Sequence, residues 1–168
     1  IYAGKPGGPW TWNKVSSNIK GFQGWLDHNE SRIRAIPGGC GNHRKYEGVG
    51  GTSRIGAGAA VKSFVDWVVP IGGPAAYFAD AYQRSGNDAG ACFEILFQEM
   101  DCVTRFGRTG KFDFLSTLGL LGIAQITPPR AYLRNATGPK DGANLLFYNS
   151  RRNTTSPECL ETLLCDLD

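Results

Sequence analysis

Apolar residues recur at helical spacing in several stretches of this chain. Four of them between positions 15 and 26 are separated by four, three and four residues, and Asn13 before them can act as an N-cap. The strongest pattern follows Asp88 and predicts a central core helix that extends to residue 106. Comparable signals predict three more helices: about Ala59–Val69 before Pro70, a short one between Pro74 and Gly86, and a final one capped by Ser156 with Pro157 in its first turn.

Two other segments predict strands. Residues 111–126 begin with alternating Phe and Asp and continue as an apolar run that is interrupted by Gly119 and Gly122, which favours an irregular strand. Periodicity alone leaves a buried helix open for this segment. Residues 145–148 form a second, shorter strand candidate.

Together these elements predict an α+β fold. We expect a single compact domain over residues 1–168, helix-rich with a small antiparallel sheet and stapled by disulfides. Residues 1–12 contain two prolines and three glycines and predict an extended N-terminal arm. The content of 41% hydrophobic and 20% charged residues is typical of globular proteins and excludes wholesale disorder. No uncharged apolar run reaches the roughly 18 residues of a conventional membrane span.

Cysteines and glycosylation sequons favour an oxidising, secretory environment. Five cysteines are many for a cytosolic protein of this size, and the chain begins at Ile1 without an apolar signal region, which fits a mature form or a trimmed chain. We expect Cys159 and Cys165 to staple the C-terminal tail to the body, and an odd cysteine could join a second chain. The disulfide candidates are Cys40, Cys92, Cys102, Cys159 and Cys165, and the glycosylation candidates are Asn29, Asn135 and Asn153.

Candidate catalytic groups are few, and none forms a complete motif. The glycine-rich residues 48–58 precede a helix and could cradle an anion, but they lack the spacing of a phosphate-binding loop. Cys40 and His43 could form a nucleophilic pair. Glu94, Glu99 and Asp101 could supply paired carboxylates for glycoside hydrolysis, although the polar face of a helix has the same spacing.

Cofactor and metal motifs are not recognised either. There is no Cys-x-x-Cys pair, and the two histidines, His28 and His43, are far in sequence from the last four cysteines. We therefore expect no cofactor and no metal, and the absence of a catalytic motif favours a non-enzymatic protein.

One short stretch carries a resemblance to a known class of proteins. Residues 39–43, Gly-Cys-Gly-Asn-His, resemble a Gly-Cys-Gly-x-His stretch in the virally encoded killer toxins of fungi. Those toxins are small secreted α/β proteins that act on competing cells. The resemblance implies the same extracellular compartment and a toxin or effector activity, although this chain has fewer cysteines than that class.

These observations predict a secreted protein that binds a protein or cell-surface receptor of a host or competitor cell, as a toxin or virulence effector. The net charge of +3 is too small to argue for nucleic acid, so we expect no nucleic-acid partner, while a membrane is left open as a partner. The alternatives are a membrane-permeabilising toxin and a small secreted hydrolase. The expected binding residues are aromatic or basic: Trp10, Trp12, Arg32, Arg34, Arg44, Lys45 and Arg54.

Overall fold

The computed structural model describes residues 9–35 and 48–167. Every regular element in these two ranges is helical, and neither range contains a strand. The predicted α+β fold with a small antiparallel sheet is therefore wrong. The α-helices are α1 (Trp12–Ser17), α2 (Ile19–Arg34), α3 (Ala57–Val68), α4 (Pro74–Arg84), α5 (Ala89–Glu99), α6 (Arg108–Leu120), α7 (Thr137–Tyr148) and α8 (Pro157–Cys165), with short 3-10 helices at Val69–Ile71 and Met100–Cys102.

The two predicted strands are helical for different reasons. Residues 111–126 contain most of α6, and Gly119 allows the chain that leaves this helix to fold back onto it. A Cβ atom at Gly119 would lie 2.3 Å from the carbonyl oxygen of Ile126. The glycine therefore marks a close backbone approach and not an irregular strand. The second candidate, residues 145–148, is the last turn of α7.

The first predicted helix is divided in two. Asn18 has φ −143° and ψ 63°, which ends α1, and its side chain accepts a hydrogen bond of 3.0 Å from the Gly21 amide at the start of α2. The N-cap is thus Asn18 for the longer helix, whereas Asn13 lies inside α1. The apolar face is kept across the break, because Val15, Phe22 and Leu26 share one buried cluster.

The other helix predictions are largely confirmed. The predicted N-caps Asp88 and Ser156 each accept a hydrogen bond from a first-turn amide of α5 or α8. The predicted helix from Asp88 to residue 106 is too long, because α5 ends at Glu99 and passes into a 3-10 helix before Arg105 takes a positive φ of 65°. None of the helices in the described part of the chain is long and apolar enough to cross a bilayer.

The chain groups into two compact units. The first comprises residues 1–77 and 101–106, and the second comprises residues 78–100 and 107–168. In the first unit, a core forms around Phe22, Leu26, Ile33 and Val65, against which Trp10 and Trp25 pack. In the second unit, the fully buried side chains include Phe93, Leu96, Met100, Leu115, Leu133 and Leu160. That residues 1–168 act as one domain stays a prediction.

The expected disulfide staples are not formed. The sulfur atoms of Cys92, Cys159 and Cys165 are not bonded to another sulfur, and no two of the cysteines at 92, 102, 159 and 165 form a disulfide. Cys92 is fully buried and packs as a small apolar side chain, and its burial raises the pKa of the thiol. The tail is held instead by the packing of α8, whose Leu160 joins the buried cluster with Leu133 and Ala143. Cys40 lies outside the described residues.

Candidate functional site

The second unit contains a cavity of about 420 Å³ that is lined by both charged and aromatic side chains. Its walls come from α5, the first residue of α6, the connecting segment at residues 130–135 and α8. This volume lies within the range of small-molecule sites. The lining residues are Glu94, Phe97, Gln98, Arg108, Arg130, Tyr132, Arg134, Asn135, Glu158 and Glu161.

The connecting segment has an unusual backbone, which its neighbours hold in place. Tyr132 has φ +52° and Asn135 has φ +61°, so both occupy the left-handed region that L-residues other than Asn and Asp seldom adopt. Arg108 donates from Nε to the Tyr132 carbonyl and from Nη2 to the Ala131 carbonyl, both at 2.7 Å. Glu161 accepts a hydrogen bond from the Leu133 amide. Three hydrogen bonds from α6 and α8, one each to Ala131, Tyr132 and Leu133, thus hold this segment, and strained residues supported in this way cluster at functional sites.

Two members of an aromatic cluster, Phe97 and Tyr132, line this cavity. The ring centroid of Tyr132 lies 4.3 Å from that of Phe97, 5.5 Å from that of Phe93 and 5.8 Å from that of Phe112. Beneath it, the buried Lys111 donates from Nζ to the Phe97 carbonyl at 2.8 Å and lies 4.2 Å from the centre of the Phe97 ring. The cluster fixes the orientation of Phe97, whose half-buried ring faces the cavity.

The charged lining is balanced, with three arginines and three glutamates. Arg130 contacts Glu94 at 3.0 Å and Glu161 at 3.9 Å, and its guanidinium carbon lies 4.9 Å from the centre of the Tyr132 ring. Arg134 contacts Glu158 at 2.8 Å, and this hydrogen bond lowers the pKa of the Glu158 carboxyl. The cavity can therefore offer both cationic and anionic groups to a ligand, provided that the ligand replaces one member of a pair.

The hydroxyl of Tyr132 is buried in this lining, and it interacts with the Glu94 carboxylate and the Arg130 guanidinium. The residue is 7% exposed, and its hydroxyl oxygen is inaccessible to solvent. Burial raises the pKa of this phenol, and the negative charge of Glu94 adds to the effect. The group is therefore a protonated hydrogen-bond donor at neutral pH.

A second cavity of about 450 Å³ shares Arg108 and Asn135 with the first. Its other walls are the first turn of α6 and the residues that lead into α7. The N-cap of α7 is Ala136, which has no side chain to satisfy the first-turn amides. Amide groups of this kind favour anions.

Of the predicted catalytic groups, one lies in this lining. Glu94 belongs to the first cavity, whereas Glu99 is bound by Arg84 at 2.7 Å and Asp101 lies in the 3-10 helix at Met100–Cys102. The three carboxylates therefore do not form a site together. The pair of Cys40 and His43 lies outside the described residues.

The predicted binding residues that the structure describes are dispersed in the first unit. Trp10 packs against Phe22 at 5.5 Å and Trp25 at 6.5 Å between ring centroids, so it belongs to the core and not to a free arm. Trp12 begins α1, is 38% exposed and contacts Phe64. The remaining predicted residues are Arg32, Arg34 and Arg54, which are exposed, and Arg44 and Lys45, which lie outside the described part of the chain.

The glycine-rich loop already holds an anionic side chain of the protein itself. The carboxylate of Asp27 on α2 accepts hydrogen bonds from the Gly51 amide at 2.6 Å and the Thr52 amide at 3.2 and 3.1 Å. Hydrogen bonds from the Thr52 side chain and the Gly51 amide lower the pKa of this carboxyl. The loop therefore fastens itself to α2, and its amide groups are used internally.

The three sequon asparagines occupy different environments. Asn29 donates from its side chain to the Trp25 carbonyl at 2.8 Å. Asn153 accepts a hydrogen bond at 2.9 Å from the amide of Thr155, the last residue of its own sequon. Asn135 is exposed and lines both cavities. Their glycosylation stays a prediction.

Most residues of the cavity are absent from the predictions made from the sequence, and its three arginines, Arg108, Arg130 and Arg134, are among the absent ones. The available signal is the run Arg130-Ala131-Tyr132-Leu133-Arg134 directly after two prolines, where cations and an aromatic ring alternate in a connecting segment. No cluster of His, Cys, Asp and Glu able to hold a metal ion occurs in the ranges 9–35 and 48–167.

The comparison with known proteins identifies a family. The model of alpha-glutamyl/putrescinyl thymine pyrophosphorylase clade 3 matches residues 1–168. The chain belongs to this family. No curated protein and no solved structure gives a significant match.

This family corrects the functional predictions made from the sequence. A pyrophosphorylase family whose name specifies a modified thymine is not a class of fungal killer toxins, effectors or permeabilising toxins, and the resemblance of residues 39–43 is therefore misleading. The predicted receptor of a host or competitor cell and the expected absence of nucleic acid are wrong for the same reason. The family is an enzyme-related clade, which conflicts with the indication of a non-enzymatic protein. It gives no support to the virulence and glycoprotein roles, and secretion is tested by neither the structure nor the family.

Proposed function

We propose that the 420 Å³ cavity binds a thymine that carries a glutamyl or putrescinyl group, and that the chain exchanges this group with pyrophosphate. The observation that carries the proposal is the combination of an aromatic wall with three arginines and three glutamates in one cavity. Each of these features matches one part of the ligand that the family name describes.

The aromatic wall suits the thymine ring. Phe97 is half-buried and lines the cavity, and its ring packs against Tyr132 and Lys111. A base stacked on an aromatic side chain gains about 1–3 kcal/mol in nucleic-acid complexes. A ring fixed in advance by its neighbours loses little freedom when the base binds.

The balanced charges suit the substituent and the pyrophosphate. A putrescinyl group ends in an ammonium, which carboxylates such as Glu158 bind, whereas a glutamyl group carries carboxylates that Arg134 binds. Arg108 lines both cavities and lies beside the uncapped start of α7, so an anion in the second cavity would meet positive potential from both, offset in part by the Asp113 carboxylate in the same lining. We place the pyrophosphate there.

The proposed exchange is a substitution at the carbon that links the thymine to its nitrogen substituent. A pyrophosphate oxygen attacks this carbon, a C–O bond forms, and the C–N bond breaks. The nitrogen leaves with the electron pair and takes up a proton to become a free amine. No oxidant or reductant is needed, and the reverse reaction releases pyrophosphate.

The test uses a synthetic oligonucleotide that carries putrescinyl thymine together with ³²P-labelled pyrophosphate. We expect the wild-type chain to transfer label to the oligonucleotide and release putrescine. With glutamyl thymine in the oligonucleotide instead, Arg134→Ala should slow the transfer about ten- to a hundredfold at limiting oligonucleotide, because the charged hydrogen bond to the glutamyl carboxylate is lost. Arg151→Ala is the matched control, since Arg151 is also exposed but lines neither cavity.

Two results would contradict the proposal. One is the absence of label transfer by the wild-type chain although it is folded. The other is an equal loss of transfer in Arg134→Ala and Arg151→Ala, which would place the arginine contribution outside the cavity.

A further inference from the structure

The charged side chains of the 420 Å³ cavity are arranged by depth. The side chain of Glu161 is 13% exposed and that of Glu94 is 26% exposed. The side chains of Arg130 and Arg134 are 48% and 79% exposed. The third arginine, Arg108, donates to two backbone carbonyls of the connecting segment. The inner charges of this lining are therefore carboxylates, and the guanidinium groups of Arg130 and Arg134 lie nearer its rim.

Each inner carboxylate is anchored by a group other than Arg130. Glu161 accepts a hydrogen bond from the Leu133 amide. Glu94 interacts with the buried hydroxyl of Tyr132. Both carboxylates also contact the Arg130 guanidinium, Glu94 at 3.0 Å and Glu161 at 3.9 Å. One mobile cation is therefore shared by two carboxylates that keep another partner when it moves away.

The inner end of the lining favours a cationic ligand group over an anionic one. An alkylammonium has three N–H donors, and the oxygens of Glu94 and Glu161 can accept them. A ligand carboxylate needs donors instead, and at this place it would lie beside two negative charges. The nearby donors are already engaged. Arg108, whose charge also acts on Glu161, binds backbone carbonyls, and the Leu133 amide binds Glu161.

We infer that Glu94 and Glu161 form an ammonium-binding subsite, and that the chain takes a cationic alkylamine substituent in preference to an anionic glutamyl substituent. As a statement about the substrate, this inference rests on the proposed function and selects the putrescinyl form from the two that the family name allows. The subsite also binds the free diamine, which the proposed exchange releases.

The rim of the cavity suits the anionic part of the same ligand. A nucleotide within a strand carries phosphates, for which guanidinium groups are common partners. Arg130 becomes available to a phosphate when an ammonium takes its place at the inner carboxylates. Arg134 contacts Glu158 at 2.8 Å in an exposed ion pair, and exposed ion pairs open at little cost. The ligand would therefore bind with its amine inward and its phosphates outward.

The test compares the binding of free putrescine with that of free glutamate by calorimetric titration. We expect the wild-type chain to bind putrescine at least tenfold more tightly. Glu161→Gln and Glu94→Gln should each weaken putrescine binding about ten- to a hundredfold, because a charged hydrogen bond is lost. Glu161→Gln keeps an oxygen that accepts from the Leu133 amide, so this variant stays folded. Glu30→Gln is the matched control, since Glu30 also pairs with an arginine, at 2.7 Å, but lies in the first unit.

A variant of Arg130 should change the affinity in the opposite direction. Arg130→Ala removes the cation that competes with the ligand for both inner carboxylates. We expect it to strengthen putrescine binding severalfold and to leave glutamate binding weak. A loss that came only from damage to the fold would instead weaken putrescine binding in all variants of the cavity.

Three results would overturn the subsite. They are equal affinities for putrescine and glutamate, glutamine variants at positions 94 and 161 that bind putrescine as Glu30→Gln does, and weaker putrescine binding by Arg130→Ala. The label-transfer assay separates this inference from the proposed function. If putrescine binds as expected but no label is transferred, the exchange is wrong and the diamine subsite stands. Equal transfer to putrescinyl and glutamyl oligonucleotides would leave the exchange in place and overturn the charge selectivity.

Discussion

The carboxylate of Glu161 is expected to hold the strained segment of the cavity in place. Its side chain is 13% exposed, and it accepts a hydrogen bond from the Leu133 amide while it contacts Arg130 at 3.9 Å. Leu133 is itself 1% exposed and belongs to the buried cluster with Leu160. Replacing Glu161 by Ala therefore leaves a buried amide without an acceptor.

The magnitude follows from the two contacts. A buried donor that loses its acceptor costs about 1–3 kcal/mol. The ion pair with the half-exposed Arg130 contributes at most about 1 kcal/mol. We expect Glu161→Ala to lower the free energy of unfolding by about 2–3 kcal/mol, and Tm to fall by roughly 2–4 °C for each kcal/mol in a chain of this size. Glu161→Gln should lose less than half of this, because its amide oxygen can still accept from Leu133.

The assay is urea unfolding followed by circular dichroism, combined with hydrogen exchange of the Leu133 amide. Glu158→Ala is the matched control: it lies one turn earlier on α8 and lines the same cavity, but it is 58% exposed and pairs with an exposed arginine. We expect Glu158→Ala to have the stability of the wild type and the Leu133 amide to stay protected in it. Equal destabilisation by the two alanine variants, or a Leu133 amide that remains fully protected in Glu161→Ala, would refute the reasoning.

Two further predictions concern the first unit. Gly51→Ala should destabilise the protein by about 3 kcal/mol or more, because the new Cβ would lie 1.8 Å from the Gln23 carbonyl oxygen of α2. Gly24→Ala, on α2 itself, has open space and should stabilise the protein by about 0.5–1 kcal/mol. Urea unfolding that shows the same sign for both variants would contradict this. Hydrogen bonds from Thr52 and Gly51 lower the pKa of Asp27, so its stabilisation is present above the unfolded carboxyl pKa of about 3.9 and is lost as the pH falls through the lower folded value. The difference in stability between the wild type and Asp27→Asn should therefore shrink between pH 6 and pH 3, and a constant difference would exclude this role.

The sequence predicted helices best where local signals agreed. Pro74 opens α4 and Gly86 follows its end with φ +71°, while Ser156 caps α8. The predictions from the sequence failed where a residue is required by a contact with a part of the chain that packs against it only in the folded protein. Gly119 resembles a strand irregularity in the sequence, but it is required because the chain returns within 2.3 Å of its Cβ position. The cysteine count was equally misleading, since burial and not oxidation explains Cys92.

The candidate site illustrates the same division between local and tertiary information. By itself the sequence determined the helical segments, their caps and the candidacy of Glu94 as a reactive carboxylate, because these depend on neighbours a few residues away. Only the tertiary structure decided that Glu94 meets Arg130, 36 residues later, and that α8 brings Glu161 to the amide of Leu133. The left-handed backbone of Tyr132 and the burial of its hydroxyl accompany these distant contacts, and no spacing along the chain encodes what will surround a side chain once the helices have packed.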